Sequence, residues 1–240
     1  MANTPPLLTD MQSFLIAIPS DYKSSFSPKE LDPSSTEYSD NSIIVTTIPQ
    51  PVPDDETQCQ WILSGSTKAK VVKSPGYPAR IPKPTRPNLY EVRSTADMGV
   101  GLFAKRNIKG GDLIFAERPL LVSPRKMAGG TFTGKIEDYS EQQIKQIAIR
   151  EYERLLEFAI GRFSSELQAD YRALHNAHTN DGSGPLFGIV RSNGYGIDKL
   201  YDGTDETSIY SAICKIGSRI NHSCVPFTLP QPLPPRQSLI

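Results

Sequence analysis

Proline placement constrains this chain more than any other feature. Of its 21 prolines, 13 lie in residues 1–87 and 5 in residues 226–240, leaving 3 between residues 88 and 225. Glycine runs the other way, with 15 of 17 in that middle segment. Proline lacks a backbone donor and fixes φ, so proline-dense stretches resist both helix and sheet. Glycines set among apolar runs mark turns between packed elements. The pattern predicts a folded unit over residues 88–226, between a long disordered tail at 1–87 and a Pro-rich segment at 227–240. A unit of that size buries roughly two-thirds of its unfolded surface.

Charge subdivides the N-terminal part. Residues 1–60 carry 9 acidic and 2 basic side chains, whereas residues 61–87 carry 6 basic and no acidic ones: Lys68, Lys70, Lys73, Arg80, Lys83 and Arg86. The basic stretch reads either as a solvated linker or as a nucleic-acid contact or nuclear address through residues 68–86. Over the whole chain 26 basic and 26 acidic residues cancel, which argues against a nucleic-acid binder as a whole-chain description. A hydrophobic content of 38% with mean hydropathy −0.36 argues against a membrane protein. Three cysteines (Cys59, Cys214, Cys224) make no disulfide framework, and the start lacks a signal-peptide pattern. The expected compartment is the nucleus or cytoplasm.

Within the middle segment, residues 89–92, 100–104 and 113–116 are short apolar runs separated by glycine and charge, the pattern of strands and tight turns. Ser140 with Gln143 forms a capping-box signature. Ile144, Ile147, Leu155, Phe158, Ala159, Phe163 and Leu167 follow at helical spacing, with Gly161 as a point of division. Residues 180–184 read as a turn, 186–190 as a strand and 209–216 as a further apolar run. Short strands on either side of a helical insert predict an α+β domain.

Two stretches could carry chemistry. Gly99-Val100-Gly101 lets backbone groups approach a ligand, although such a pair of glycines also serves as an ordinary turn. Arg219-Ile220-Asn221-His222-Ser223-Cys224-Val225-Pro226 concentrates polar and reactive side chains in apolar surroundings, where they require hydrogen-bond partners. The His222/Cys224 pair with Cys214 fits no standard zinc spacing. A cysteine hydrolase built on Cys224 stays open as a minor reading, since adjacency to a histidine is no evidence of a nucleophile–base pair. His175 and His178 suit a helix end better than a metal.

Taken in order, Gly99-Val100-Gly101-Leu102-Phe103-Ala104, then Gly111-Asp112-Leu113-Ile114-Phe115-Ala116-Glu117-Arg118-Pro119-Leu120, then Asn221-His222-Ser223-Cys224-Val225-Pro226, the chain resembles a SET domain over residues 88–226. That family transfers a methyl group from S-adenosylmethionine to a protein lysine. The helical segment resembles the insert of fungal and MYND-associated members, without the cysteine/histidine cluster of a MYND zinc module. The resemblance implies a SET-like fold, a lysine-bearing protein as partner and S-adenosylmethionine as cofactor. It implies cofactor contacts from Gly99, Val100 and Gly101, from Asn193 and from Asn221 and His222. Without the resemblance, Asn193-Gly194 reads equally as a turn dipeptide.

The family pattern continues past Pro226 with further strands and a catalytic tyrosine. Residues 227–240 instead hold four prolines, which cannot supply central strands. The expectation is an incomplete, C-terminally truncated SET domain, impaired or inactive as it stands. Tyr195 and Tyr210 are the available candidates for a lysine channel. Cys224 matches a family zinc ligand whose partner thiolates are absent, so no metal is expected. The alternative is a catalytically dead SET-like fragment acting as a protein-binding module.

Overall fold

The computed structural model describes residues 22, 43–50, 58–97, 99–125, 139–197, 200 and 210–221. In chain order the elements are β1 (Ile43–Thr47), β2 (Gln60–Ser64), α1 (Gly65–Val72), β3 (Tyr90–Ser94), β4 (Val100–Ala104), β5 (Leu121–Pro124), α2 (Glu141–Gly161), α3 (Ser165–Arg172), α4 (Pro185–Asn193), β6 (Tyr195–Ile197) and β7 (Tyr210–Ile213). A 3-10 turn (Gly217–Arg219) follows. The architecture is mixed α+β, with four helices and two small sheets among the described residues. Five strands make the main sheet in the order β1-β2-β5-β7-β6, and β3 with β4 forms a separate antiparallel hairpin. Only β2 and β5 are parallel neighbours.

Both faces of the main sheet are covered. Successive residues of a strand point to opposite faces, so Val45, Ile62, Leu121 and Ile213 pack with the helices, against Leu155, Leu156, Ala159 and Ile160 of α2 and Leu186, Ile189 and Val190 of α4. Trp61, Leu63, Val122, Tyr210 and Ala212 fill the other side with Ile48 and Val71. Each such aliphatic side chain contributes about 1.5–3 kcal/mol when fully buried. One row, Thr46, Trp61, Val122, Ala212 and Tyr195, crosses the entire sheet.

The N-terminal boundary departs from the expectation. Residues 43–47 and 60–72, assigned above to a disordered tail, supply β1, β2 and α1, and Trp61 is fully buried in the middle of the core. The reason is local: neither stretch contains proline, and the prolines at 49, 51 and 53 fall in the β1–β2 connection. Averaging composition over 87 residues hid two proline-free strands. The basic stretch is likewise not a linker throughout, since Lys68 and Lys70 lie on α1.

Two expected strands are absent. Residues 112–119 run without regular secondary structure. Residues 186–190 are helical, because Pro185 occupies the first turn and Leu186, Ile189 and Val190 fall at helical spacing on the buried face. The capping box at Ser140 forms as expected, and α2 ends at Gly161 before α3 starts behind the Ser164 N-cap. Residues 222–240, with the His222 and Cys224 assignments and the 227–240 segment, lie outside the described residues.

Helix α4 has no side-chain cap of its own. Glu153 of α2 takes that role, accepting hydrogen bonds from the amides of Leu186 (2.7 Å) and Phe187 (2.8 Å). A Cβ on Gly184 would collide with that carboxylate, so glycine is required there. Burial pushes the Glu153 carboxyl up to about 7, outweighing the two amide donors. The unfolded chain titrates near ~4.3, so folding takes up a proton between these values. The group's contribution is full below about pH 4.3 and is lost as pH rises through about 7. We predict that the loss of stability between pH 5 and pH 8, read as a fall in Tm, is smaller in Glu153→Gln than in the unsubstituted chain. The difference corresponds to at most about 3 kcal/mol. Identical pH profiles for the two proteins would contradict this role.

Candidate functional site

The antiparallel ladder of β3 and β4 sets which groups of the Gly-Val-Gly segment are available. Gly99 adopts a left-handed φ of +69° and its carbonyl accepts from the Thr95 amide (2.6 Å), while the Lys105 amide donates to Leu89 (2.9 Å). Hydrogen-bonded pairs alternate in such a ladder, so Gly99, Gly101, Phe103 and Lys105 face β3 with their backbone groups. The backbone groups of Val100, Leu102 and Ala104 are directed to the opposite edge. Gly99 is therefore the turn glycine.

Gly101 serves a different purpose. A Cβ there would stand 3.2 Å from Nδ2 of Asn221 and 3.2 Å from the Phe103 ring. Its absence lets the carboxamide of a residue 120 positions later rest against β4. Arg93, opposite Gly101 in register, stacks on the Phe103 ring at 4.0 Å. Val100 and Ile220 are exposed beside this contact, as is Asn221.

Asn221 is carried by the 3-10 turn, and the turn is pinned from several directions. Oε1 and Oε2 of Glu117 accept from the Ile216 amide (3.1 and 3.0 Å), and Oε1 also accepts from the Gly217 amide (2.5 Å). The Tyr195 hydroxyl donates to the Gly217 carbonyl (2.7 Å). Arg219 reaches the carbonyl of Ala173 at the end of α3 (3.0 Å), and Lys215 pairs with Asp170 of the same helix (2.6 Å). Burial raises the Glu117 carboxyl above the usual range although the amides of Ile216 and Gly217 favour its charged form. Burial, then Cys214 and Glu117, raises the Tyr195 phenol. Burial, with Glu117 nearby, raises the Cys214 thiol far above its ordinary range.

The other expected residues are placed as follows. Asn193 ends α4 and its Nδ2 donates to the carbonyls of His175 (2.7 Å) and Ile189 (2.8 Å), tying the α3–α4 loop to the helix. Tyr195 and Tyr210 share a face of the sheet, but the Tyr210 hydroxyl donates to Thr67 (3.2 Å) inside the core, away from the turn that Tyr195 holds. His178 pairs through Nδ1 with Asp181 (2.6 Å) in the loop before α4. Glu117 and Glu153 were not singled out from sequence. The signals that could have indicated them are Gly217 and Gly184, each a small residue where an acceptor from elsewhere must come close.

No family model matches the chain, and no curated protein or solved structure does either. Among the described residues no helix is long and apolar enough to cross a membrane.

The Gly101–Asn221 contact leads to a direct expectation. Gly101→Ala forces the Asn221 carboxamide to shift and moves its side-chain NH2 resonances, with a cost in stability of about 1 kcal/mol because the exposed carboxamide and the half-buried Phe103 ring need yield only slightly. Gly110→Ala, where an added Cβ meets nothing within 4 Å, leaves those resonances in place. By contrast, Glu117→Ala strips buried amides of their acceptor and lowers unfolding free energy by about 2–4 kcal/mol, measured by urea denaturation.

Proposed function

We propose that the chain is a SET-type protein-lysine N-methyltransferase that uses S-adenosylmethionine and works in the nucleus or cytoplasm. The observation that carries the reading is the meeting of Gly101 and Asn221, which belong to the first and last of the three motifs that resemble that family. The mixed α+β architecture, with a strand hairpin, a helical insert and a closing strand before the 3-10 turn, suits a SET-like fold.

The residues present suit an adenosyl-sulfonium ligand in kind. The outward edge of β4 offers backbone donors and acceptors, the exposed Asn221 carboxamide offers one of each, and exposed Val100 and Ile220 offer apolar contact. Gly101 provides the close approach that a side chain would fill. In this reading Val100 lines the cofactor with its outward backbone groups, Gly99 sets the turn and Gly101 the space beside it, Asn221 and His222 hold its adenosyl part, and Asn193 fixes the end of α4. When bound, the cofactor supplies an electrophilic methyl group on a sulfonium. The chain's own task is to admit a lysine amine, exclude water so that the amine is neutral, and hold it in line with the methyl–sulfur bond. Tyr195 borders that approach, beside the turn that its hydroxyl fixes.

Cofactor binding tests the reading directly, because it depends on the residues that meet at Gly101 and Asn221. Isothermal titration with S-adenosylmethionine is expected to show saturable binding that Asn221→Ala and Gly101→Val each weaken more than about tenfold, while Gly110→Ala binds normally. Circular dichroism melts establish that the variants fold. A folded chain that gives no heat with the cofactor, or variants that bind like the unsubstituted chain, would sink the proposal.

A further inference from the structure

Two loop segments run antiparallel beside the β3–β4 hairpin. The Arg118 guanidinium donates to the Ala79 carbonyl (3.0 Å), Arg86 bonds both the Asn107 carbonyl (3.2 Å) and the Asp112 carboxylate (2.6 Å), and the Lys105 amide donates to Leu89 (2.9 Å). Residues 79–89 and 105–118 therefore form one ribbon. Exposed along it are Arg80 from the first segment and Lys105, Arg106 and Lys109 from the second. The segments contain two carboxylates, and both are engaged within the protein: Asp112 with Arg86, and Glu117 with the amides of Ile216 and Gly217. A chain that is neutral overall thus concentrates positive charge on one ribbon.

We infer that this ribbon is a docking surface for the phosphate backbone of a nucleic acid. The chemistry of the surface selects that partner over an acidic protein. Protein interfaces are anchored by buried aromatic or aliphatic side chains seated in pockets. Of the ribbon's large apolar side chains, Leu113 is the exposed one among the described residues, and Phe115 packs on Tyr90 with ring centroids 5.2 Å apart. What remains for a partner is a group of exposed cations, which fits the charged phosphates of a nucleic-acid backbone. Such contacts position a partner without specifying sequence. The inference is independent of the methyltransferase reading, because it involves none of the residues assigned to the cofactor.

The test is fluorescence anisotropy of a labelled 20-base-pair RNA duplex with the full 240-residue chain across a range of salt concentrations. Binding is expected at about 50 mM salt, with log affinity falling against log salt at a slope of about −4 for four cations on phosphates. The triple variant Arg80→Ala/Lys105→Ala/Arg106→Ala is expected to bind more than about tenfold more weakly and to reduce the slope by about 2–3. A control with the same loss of charge, Lys145→Ala/Arg150→Ala/Arg172→Ala, keeps the original slope. Circular dichroism confirms that both triples fold. Absence of binding at low salt overturns the inference, as does an equal loss in the control. Displacement of the duplex by polyglutamate at matched charge concentration also overturns it, in favour of an acidic protein partner.

Discussion

A largely buried Glu117 carboxylate that holds the Ile216 and Gly217 amides is the interaction on which the candidate site depends. Those amides open the 3-10 turn, and the turn delivers Asn221 to β4. Glu153 does the same work at the other end of the insert, holding the first amides of α4. In each case a short element without a side-chain cap of its own is capped by an acid from elsewhere, about 100 residues away for Glu117 and 33 for Glu153. In each case a glycine leaves space for the carboxylate. Burial opposes the charge and the amides favour it, and burial prevails for both acids. Both therefore take up protons on folding, so their contributions to stability change with pH in the same direction.

The main sheet supplies the second support. Because both of its faces are covered, its strands read as near-continuous apolar runs, as Trp61-Ile62-Leu63 does in β2. The row from Thr46 through Trp61, Val122 and Ala212 ends at Tyr195, whose hydroxyl reaches the Gly217 carbonyl. The position of Tyr195 is thus set by packing that begins in β1, far upstream of the motifs. A domain cut at residue 88 would remove two of the five strands that hold this row. The helical face is tied down as well: Arg162, just past α2, donates to Gln60 (3.0 Å), and Gln60 donates to Thr47 (2.8 Å).

Signals with a specific local geometry held, whereas bare apolar runs, as at 113–116 and 186–190, and averaged composition did not. The Ser140 capping box, the break at Gly161 and the apolar run at 100–104 all concern neighbours within a few residues, where backbone preference and side-chain spacing decide the outcome. The proline count was a sum over 87 positions, and it concealed β1 and β2 because a strand needs only five proline-free residues. Residues 186–190 looked like a strand because a short apolar run has no period, and the Gly184-Pro185 entry to a helix carried the distinguishing information. Of the site, Gly101 and Asn221 were legible as residue types. Their contact was not, since it depends on the Glu117 latch, and no local pattern tells a carboxylate that caps a distant turn from one that faces water.

The hairpin that carries Gly101 explains why this contact is sensitive. An isolated two-stranded hairpin is marginally stable in water, and β3 and β4 hydrogen-bond only to each other among the described strands. Among the described residues, the attachments of the hairpin include Tyr90 against Phe115 at one end and Asn221 against Gly101 nearer the other. A two-stranded pair without a third neighbouring strand shifts more readily than a larger sheet. The buried sheet resists, because any displacement there must open packed surface on two sides. The candidate ligand contacts thus lie on a strand outside the main sheet, and their counterpart, Asn221, follows a turn held by Glu117. A ligand seated between the two would add a further attachment to the hairpin.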